Sequence, residues 1–276
     1  MSSTPSENGV YHVDDPGKIQ GRDEVAPNER SLGALRLQRA LEALGDTGGT
    51  LLLPGAGAGR YARAIAKARP DLDIVAGDLS TSAVEEARQR GGGPVYDVFD
   101  VESMPYPDGH FDAIVFFDLL EHVPSPRRML AECARVLRPG GILHGFVPLE
   151  AQPGTLYRLL ERDRPVPIHR WKREHVGHVQ RFTRADVLRT VVQSGFEIDD
   201  LTHSFHAVGQ VHDIVDYWHR ERHANPEVGR LPLSVVDAVT RGTFLVTWRL
   251  AWLEDRLYTG ARLASGVHVT ARRRSH

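Results

Sequence analysis

The segment Thr50-Leu51-Leu52-Leu53-Pro54-Gly55-Ala56-Gly57-Ala58-Gly59 decides the architecture. A short apolar run ends in three glycines at alternate positions, which lets the chain turn sharply and approach a ligand with its backbone. Outward from this point, short apolar runs alternate with helical patterns. Tyr61–Ala68, Ser80–Arg90 and Pro126–Leu137 read as helices. Leu72–Gly77, Val95–Phe99, Phe111–Phe117 and Ile142–Val147 read as strands, the last after a Pro139-Gly140-Gly141 turn. Such alternation implies an α/β fold, with a parallel sheet covered by helices on both faces.

Beyond Pro148 the rhythm breaks. Gly154–Arg164 suits a short helix, and Thr183 with Asp186 forms a capping box opening a helix to about Ser194. Phe196–Phe205 and Gly266–Ala271 read as the last two strands, separated by a helical stretch over residues 208–262. Trp218, Trp248, Trp252 and Tyr258 lie at helical spacing within it. They are read first as core packing, and second as a lid over an apolar substrate or a membrane contact. Upstream, Asn28 or Ser31 caps a first helix whose stripe is Leu32, Leu35, Leu41 and Leu44.

The 276 residues carry 34 Lys+Arg against 36 Asp+Glu, a net charge of −2. The lone Cys133 excludes a disulfide framework and any cysteine-based zinc or iron–sulfur site. No apolar stretch approaches the ~18 residues of a membrane span, and Met1–Pro16 lacks the pattern of a signal peptide. A cytoplasmic protein with at most peripheral membrane contact is expected. The near-zero charge conceals −7 over the first 152 residues and +5 over the rest. Arg158–Arg184 alone holds eight basic and three acidic residues, either a solvated face or an attractor of anionic groups. The acidic balance argues against a nucleic-acid partner.

Chemistry gathers at the strand ends. The G-x-G-x-G spacing differs from the G-x-G-x-x-G of dinucleotide folds and, alone, can simply join strand to helix. Asp78, closing the second strand, can accept both hydroxyls of a ribose bound across the sheet. Asp100 follows the third strand and can accept from an adenine amino group. Together, Leu51–Gly59, Asp78-Leu79-Ser80, Asp100-Val101, Phe111–Val123 and Leu137–Gly141 resemble the successive motifs of class I S-adenosylmethionine (SAM) methyltransferases.

That resemblance implies a Rossmann-like, doubly wound, seven-stranded sheet with an antiparallel last strand, plus the helical insertion. It implies residues 1–48 as an arm and cap helix, and 49–276 as a SAM-binding domain. The basic linker 151–182 and the insertion 208–262 then become substrate-side elements. Gly55, Ala56, Gly57 and Gly59 would face the methionine part of SAM, and Asp118 would also contact the cofactor. Asp78 and Leu79 would hold the ribose, and Asp100 with the Val101 amide would read adenine. One departure stands out: the family usually has an acidic residue two positions before the first glycine, and here it is Leu53.

Asp118-Leu119-Leu120-Glu121-His122-Val123 resembles the equivalent stretch of ubiquinone-pathway O-methyltransferases, and the acidic-x-x-Glu-His metal motif of small-RNA 2′-O-methyltransferases. In the latter a downstream histidine completes the site, and His178 is the candidate here. Helical spacing would put Asp118, Glu121 and His122 on one side of a turn. With His178 they form a mixed oxygen–nitrogen set suited to Mg²⁺, Mn²⁺ or Zn²⁺. Without metal, His122 or His178 is the general-base candidate, with Glu121 beside them. Glu150 is a further pocket candidate, while His169 and His175, flanking Trp171, are less well placed.

The expected function is methyl transfer from SAM to a small molecule, anionic or apolar, at a hydroxyl oxygen. The alternatives are metal-free N- or C-methylation, a non-catalytic SAM-binding protein and, last, an NAD(P)-binding oxidoreductase. Nothing in the sequence sets the oligomeric state.

Overall fold

The structure, a computed structural model, describes residues 23–162 and 166–275. Most of the N-terminal arm, and Arg164 of the basic linker, lie outside the described residues. Seven strands form one sheet: β1 (Gly49–Pro54), β2 (Leu72–Asp78), β3 (Val95–Val98), β4 (Phe111–Phe117), β5 (Leu137–Pro148), β6 (Phe196–Ser204) and β7 (Gly266–Arg273). Their order is β3-β2-β1-β4-β5-β7-β6, with β7 antiparallel to both neighbours and the first five parallel. This is the doubly wound, Rossmann-like sheet expected from the sequence.

Strand period explains the two cores. Ala113, Val115 and Phe117 of β4 face one layer, with Leu51 and Leu53. That layer holds α1 (Leu32–Leu44), α2 (Arg60–Ala68) and α3 (Thr81–Arg90). Ile114 and Phe116 face the other, with Met129, Leu130 and Cys133 of α4 (Pro126–Val136) and Val187 and Val191 of α7 (Arg184–Gln193). Ser31 caps α1 by accepting from Ala34 N, and the Thr183–Asp186 capping box opens α7. The Pro139–Gly141 turn is absorbed into β5 as an irregularity. Phe111 pairs with Leu137 and Ala113 with Ile142, so residues 138–141 arch out of register.

Between β5 and α7 lie α5 (Leu156–Arg162) and α6 (Ile168–Val176). The insertion between β6 and β7 is a hairpin of α8 (Ala207–Ala224) and α9 (Leu233–Leu257), broken at Asn225 to Pro232. Core packing holds for only part of its aromatics. Trp218 packs on the Tyr157–Ile168–Trp171–Tyr217 cluster. Trp248 is 52% exposed and Tyr258 42%, on a helix that also turns Val246, Leu253 and Leu257 outward. Among the described residues, no helix is long and apolar enough to cross a membrane.

Asp255 anchors the hairpin to the sheet. It accepts from Phe205 N at 2.8 Å, from Ser204 Oγ, and from His206 Nδ1 at 2.6 Å. His206 Nε2 also donates to the Gly260 carbonyl at 2.9 Å, so both ring nitrogens donate and the ring is an imidazolium. Burial pulls the His206 pKa down, but Asp255 and the Gly260 carbonyl hold it above its ordinary 6.5. Burial opposes the Asp255 charge, yet His206 and Ser204 keep that pKa below 3.8. The pair therefore stabilises the fold fully between those two ordinary values. Stabilisation is lost as pH rises through the raised His206 value, or falls through the lowered Asp255 value. Asp255→Asn should lower the melting midpoint at pH 6 and flatten its decline as pH rises above the ordinary histidine value of 6.5. Parallel melting profiles for parent and variant would reject the coupling.

Candidate active site

The site forms at the carboxyl ends of β1, β2 and β4, beside the point where strand order reverses, the usual crevice of open parallel sheets. The glycine loop there is bound into the sheet edge. Ala56 N donates to Gly77 O at 2.9 Å and Gly57 N to Asp78 Oδ2 at 2.8 Å. Gly55 has a φ of 69°, and a Cβ there would meet Leu119 Cδ1 at 2.6 Å. Gly59, at a φ of 84°, starts α2, and a Cβ would strike the Tyr96 hydroxyl at 2.6 Å. Only glycine fits both positions.

Asp78 also accepts from Ser80 N at 3.0 Å, and Ser80 in turn caps α3. Each carboxylate oxygen thus holds one backbone donor and keeps a lone pair for a ligand. Burial raises the Asp78 pKa against the pull of the Ser80 and Gly57 amides. Leu79 follows, half-buried. Phe99 N donates to Asp78 O at 3.2 Å, which carries Asp100 to the same edge. There the Asp100 side chain is exposed and accepts from Glu102 N at 2.8 Å, while Val101 is buried.

The segment after β4 is not the helical turn expected from its spacing. Residues 118–122 form irregular turns, Asp118 takes a left-handed φ of 48°, and its carboxylate pairs with Arg36. Asp118 is therefore held by Arg36 and is not one of the grouped ligand atoms, although its charge still acts on Glu121 and His122. Glu121, His122 and His178 do come together: their ligand atoms lie within 4.8 Å of one another. The Glu121 carbonyl accepts from Val179 N at 2.9 Å and Gln180 N at 3.0 Å, which brings the distant His178 to it. Glu121 is 1% exposed, and among the described residues neither carboxylate oxygen has a hydrogen-bond partner. Burial, then Asp118, raises its pKa well above the ordinary value. Burial, then His178, lowers that of His122 to about 4, so the ring is neutral at pH 7.

One participant escaped the sequence reading, and the role of a second was not seen in it. Arg36 on α1 stacks over Phe146, its guanidinium carbon 3.9 Å from the ring centroid. Burial opposes its charge, but Asp118 and Tyr61 hold its pKa above the ordinary range. No local signal marks it, because its partner is 82 residues away. Glu150, named only as a pocket candidate, is the centre of a network. It binds His178 Nδ1, and His169 Nδ1 at 2.8 Å, with Lys172 Nζ at 3.8 Å. Burial would raise the Glu150 pKa, but Lys172, His169 and His178 hold it well below the carboxylate range. His169 thus belongs to this network, while His175 bonds Glu221 on α8 at 3.1 Å. Lys172, counted in the basic stripe, is buried and paired with Asp213 at 2.8 Å.

Residues 52–144, the part containing the glycine loop, match the family described as "Methyltransferase domain". That match spans about a third of the chain and makes this part similar to a methyltransferase domain. It is 37% identical over 128 residues to the ubiquinone/menaquinone biosynthesis C-methyltransferase UbiE of Desulfotalea psychrophila, covering 45% of this chain and 52% of that one. It is 30% identical over 154 residues to a ubiquinone biosynthesis O-methyltransferase of Xanthomonas oryzae pv. oryzae, covering 51% and 64%. The chain thus spans roughly half to two-thirds of these relatives' lengths. A putative methyltransferase from Bacillus halodurans shares the methyltransferase fold at a TM-score of 0.56 and 19% identity, covering 87% of this chain and 99% of that one. So does the [4+2]-cyclase SpnF, at 0.58 and 22%, covering 93% and 85%. A fold shared with a cyclase does not dictate the reaction, so the site must argue it.

Proposed function

We propose that this protein moves the methyl group of SAM to a hydroxyl oxygen of a small molecule, with a divalent cation held by Glu121, His122 and His178. The observation that carries the reading is Glu121, a buried carboxylate with both oxygens unpartnered among the described residues, beside two imidazoles. Such a group is costly to bury unless something is to pair with it. A carboxylate and two imidazoles fit Mg²⁺, Mn²⁺ or Zn²⁺. The chemistry such a cation supplies when bound is a lowered pKa for the substrate hydroxyl.

The chain's own residues do the rest. Asp78 takes the ribose hydroxyls, and Asp100 with the Val101 amide takes adenine. The loop from Gly55 to Gly59 faces the methionine part. Arg36 and Asp118, side by side next to Leu119 against Gly55, carry the opposite charges that match the carboxylate and ammonium of that end. This pair supplies a carboxylate where Leu53 supplies none. Glu150 bonds His178 at Nδ1 and so leaves Nε2 toward Glu121, 3.8 Å from Oε1. Methyl transfer needs alignment above all, and these contacts fix it.

One observation favours a second, metal-free reading. Burial and Asp118 raise the Glu121 pKa and so favour its neutral form over a metal-holding carboxylate; His122 or His178 is then the base, and C- or N-methylation fits as well. Methyl transfer from labelled SAM to a panel of hydroxylated and aminated acceptors decides between them. We expect chelator to abolish turnover and Mg²⁺, Mn²⁺ or Zn²⁺ to restore it. Turnover indifferent to both would overturn the metal-assisted reading, and turnover with no acceptor would favour a non-catalytic SAM-binding protein.

A further inference from the structure

The insertion holds a second group of ligand-type side chains that shares no residue with the site above. His219 and His223 stand one helical turn apart on α8, at the i, i+4 spacing that puts both rings on one side. Asp237, in the second turn of α9, meets them from the other arm of the hairpin. His219 Nε2 lies 3.0 Å and His223 Nε2 2.8 Å from the same oxygen, Asp237 Oδ1. The ring centroids are 4.3 Å apart, and the three ligand atoms lie within 4.8 Å of one another.

We propose that His219, His223 and Asp237 bind a divalent transition-metal ion of the zinc class, which clips α8 to α9 near the tip of the hairpin. Two imidazole nitrogens and one carboxylate oxygen are a donor set for Zn²⁺. Metal–ligand bonds of about 2.0–2.1 Å put tetrahedral ligand atoms about 3.3 Å apart. The two imidazole nitrogens need to open from Asp237 Oδ1 by only a few tenths of an ångström. His223 is 42% exposed at its side chain, which gives an ion a way in and leaves the remaining positions to water.

The hairpin tip has use for a clip. Its turn is held by Arg222, which donates to the carbonyls of Val228 and, at 2.7 Å, Leu231. The buried residues of α8 are Gly209, Gln210, Tyr217, Glu221 and Arg222, so little apolar packing secures that end. An ion bridging the two helices stabilises the folded state by mass action, in proportion to its affinity and concentration.

The test uses Zn²⁺ alone, titrated calorimetrically into the untagged full chain carrying His178→Ala, which disables the Glu121 cluster. One equivalent should bind and raise the melting midpoint. Adding His223→Ala should weaken that binding by at least about tenfold and abolish the rise, and Asp237→Asn should act in the same direction. Co²⁺ in place of Zn²⁺ gives a visible spectrum of low-coordinate cobalt that the same variants remove, a readout independent of melting. No Zn²⁺ binding to the His178→Ala chain, or binding undiminished by His223→Ala in a folded variant, would overturn the proposal. His–Asp hydrogen bonds alone would then account for the contacts.

Discussion

Glu121→Gln lowers kcat by about 10²–10⁴-fold, the span of a lost proton-transfer or metal-holding group, and leaves SAM affinity unchanged. The separation follows from geometry. Glutamine keeps the size of the buried side chain and keeps the backbone carbonyl that receives Val179 N and Gln180 N, so His178 stays in place. What disappears is one carboxylate whose oxygens have no partner among the described residues. Because the native group is a buried carboxyl with a raised pKa, the neutral amide relieves a desolvation cost. The melting midpoint of the variant therefore does not fall. Mn²⁺ binding, followed by water-proton relaxation, weakens together with kcat if Glu121 holds the cation. A variant that melts earlier and keeps its turnover would show that Glu121 serves packing alone.

Asp78→Ala weakens SAM binding at least tenfold, and by about 10²–10⁴-fold if both ribose hydroxyls are lost, each charge-assisted bond contributing about 1.5–3 kcal/mol. The same change strips Gly57 N and Ser80 N of their acceptor and loosens the glycine loop. Asp78→Asn separates the two effects. Its amide oxygen can serve one of those backbone donors, so the loop is partly retained, but the charge is gone. Calorimetric titration with S-adenosylhomocysteine should rank parent, Asn and Ala in falling affinity, with the chain still folded. Equal affinity in all three would remove Asp78 from the ribose.

The first five strands were legible because their signals are local. A strand buried on both faces reads as a short apolar run, and Thr50–Leu53, Leu72–Gly77 and Phe111–Phe117 each sit within two residues of the observed strands. The capping box at Thr183 is local too, and it formed as read. What failed depends on partners distant in sequence. Helical spacing assigned Asp118, Glu121 and His122 to one face, but Arg36 reaches across from α1 and takes Asp118 in an irregular turn. Periodicity found the apolar stripes of α9 without saying which one faces outward, so Trp248 and Tyr258 were placed in a core they do not join. Glu150 stood out only as a carboxylate past the fifth strand. Its role comes from His169, Lys172 and His178, which a separate helix and loop bring to it.

A crystal structure of the chain with S-adenosylhomocysteine and Mn²⁺ tests the account most directly. The ribose should lie on Asp78, the homocysteine end between the glycine loop and the Arg36–Asp118 pair, and the sulfur on the side of Glu121, His122 and His178, with manganese on those three. Adenosine bound away from Asp78, or a sulfur facing away from the Glu121 cluster, would contradict it.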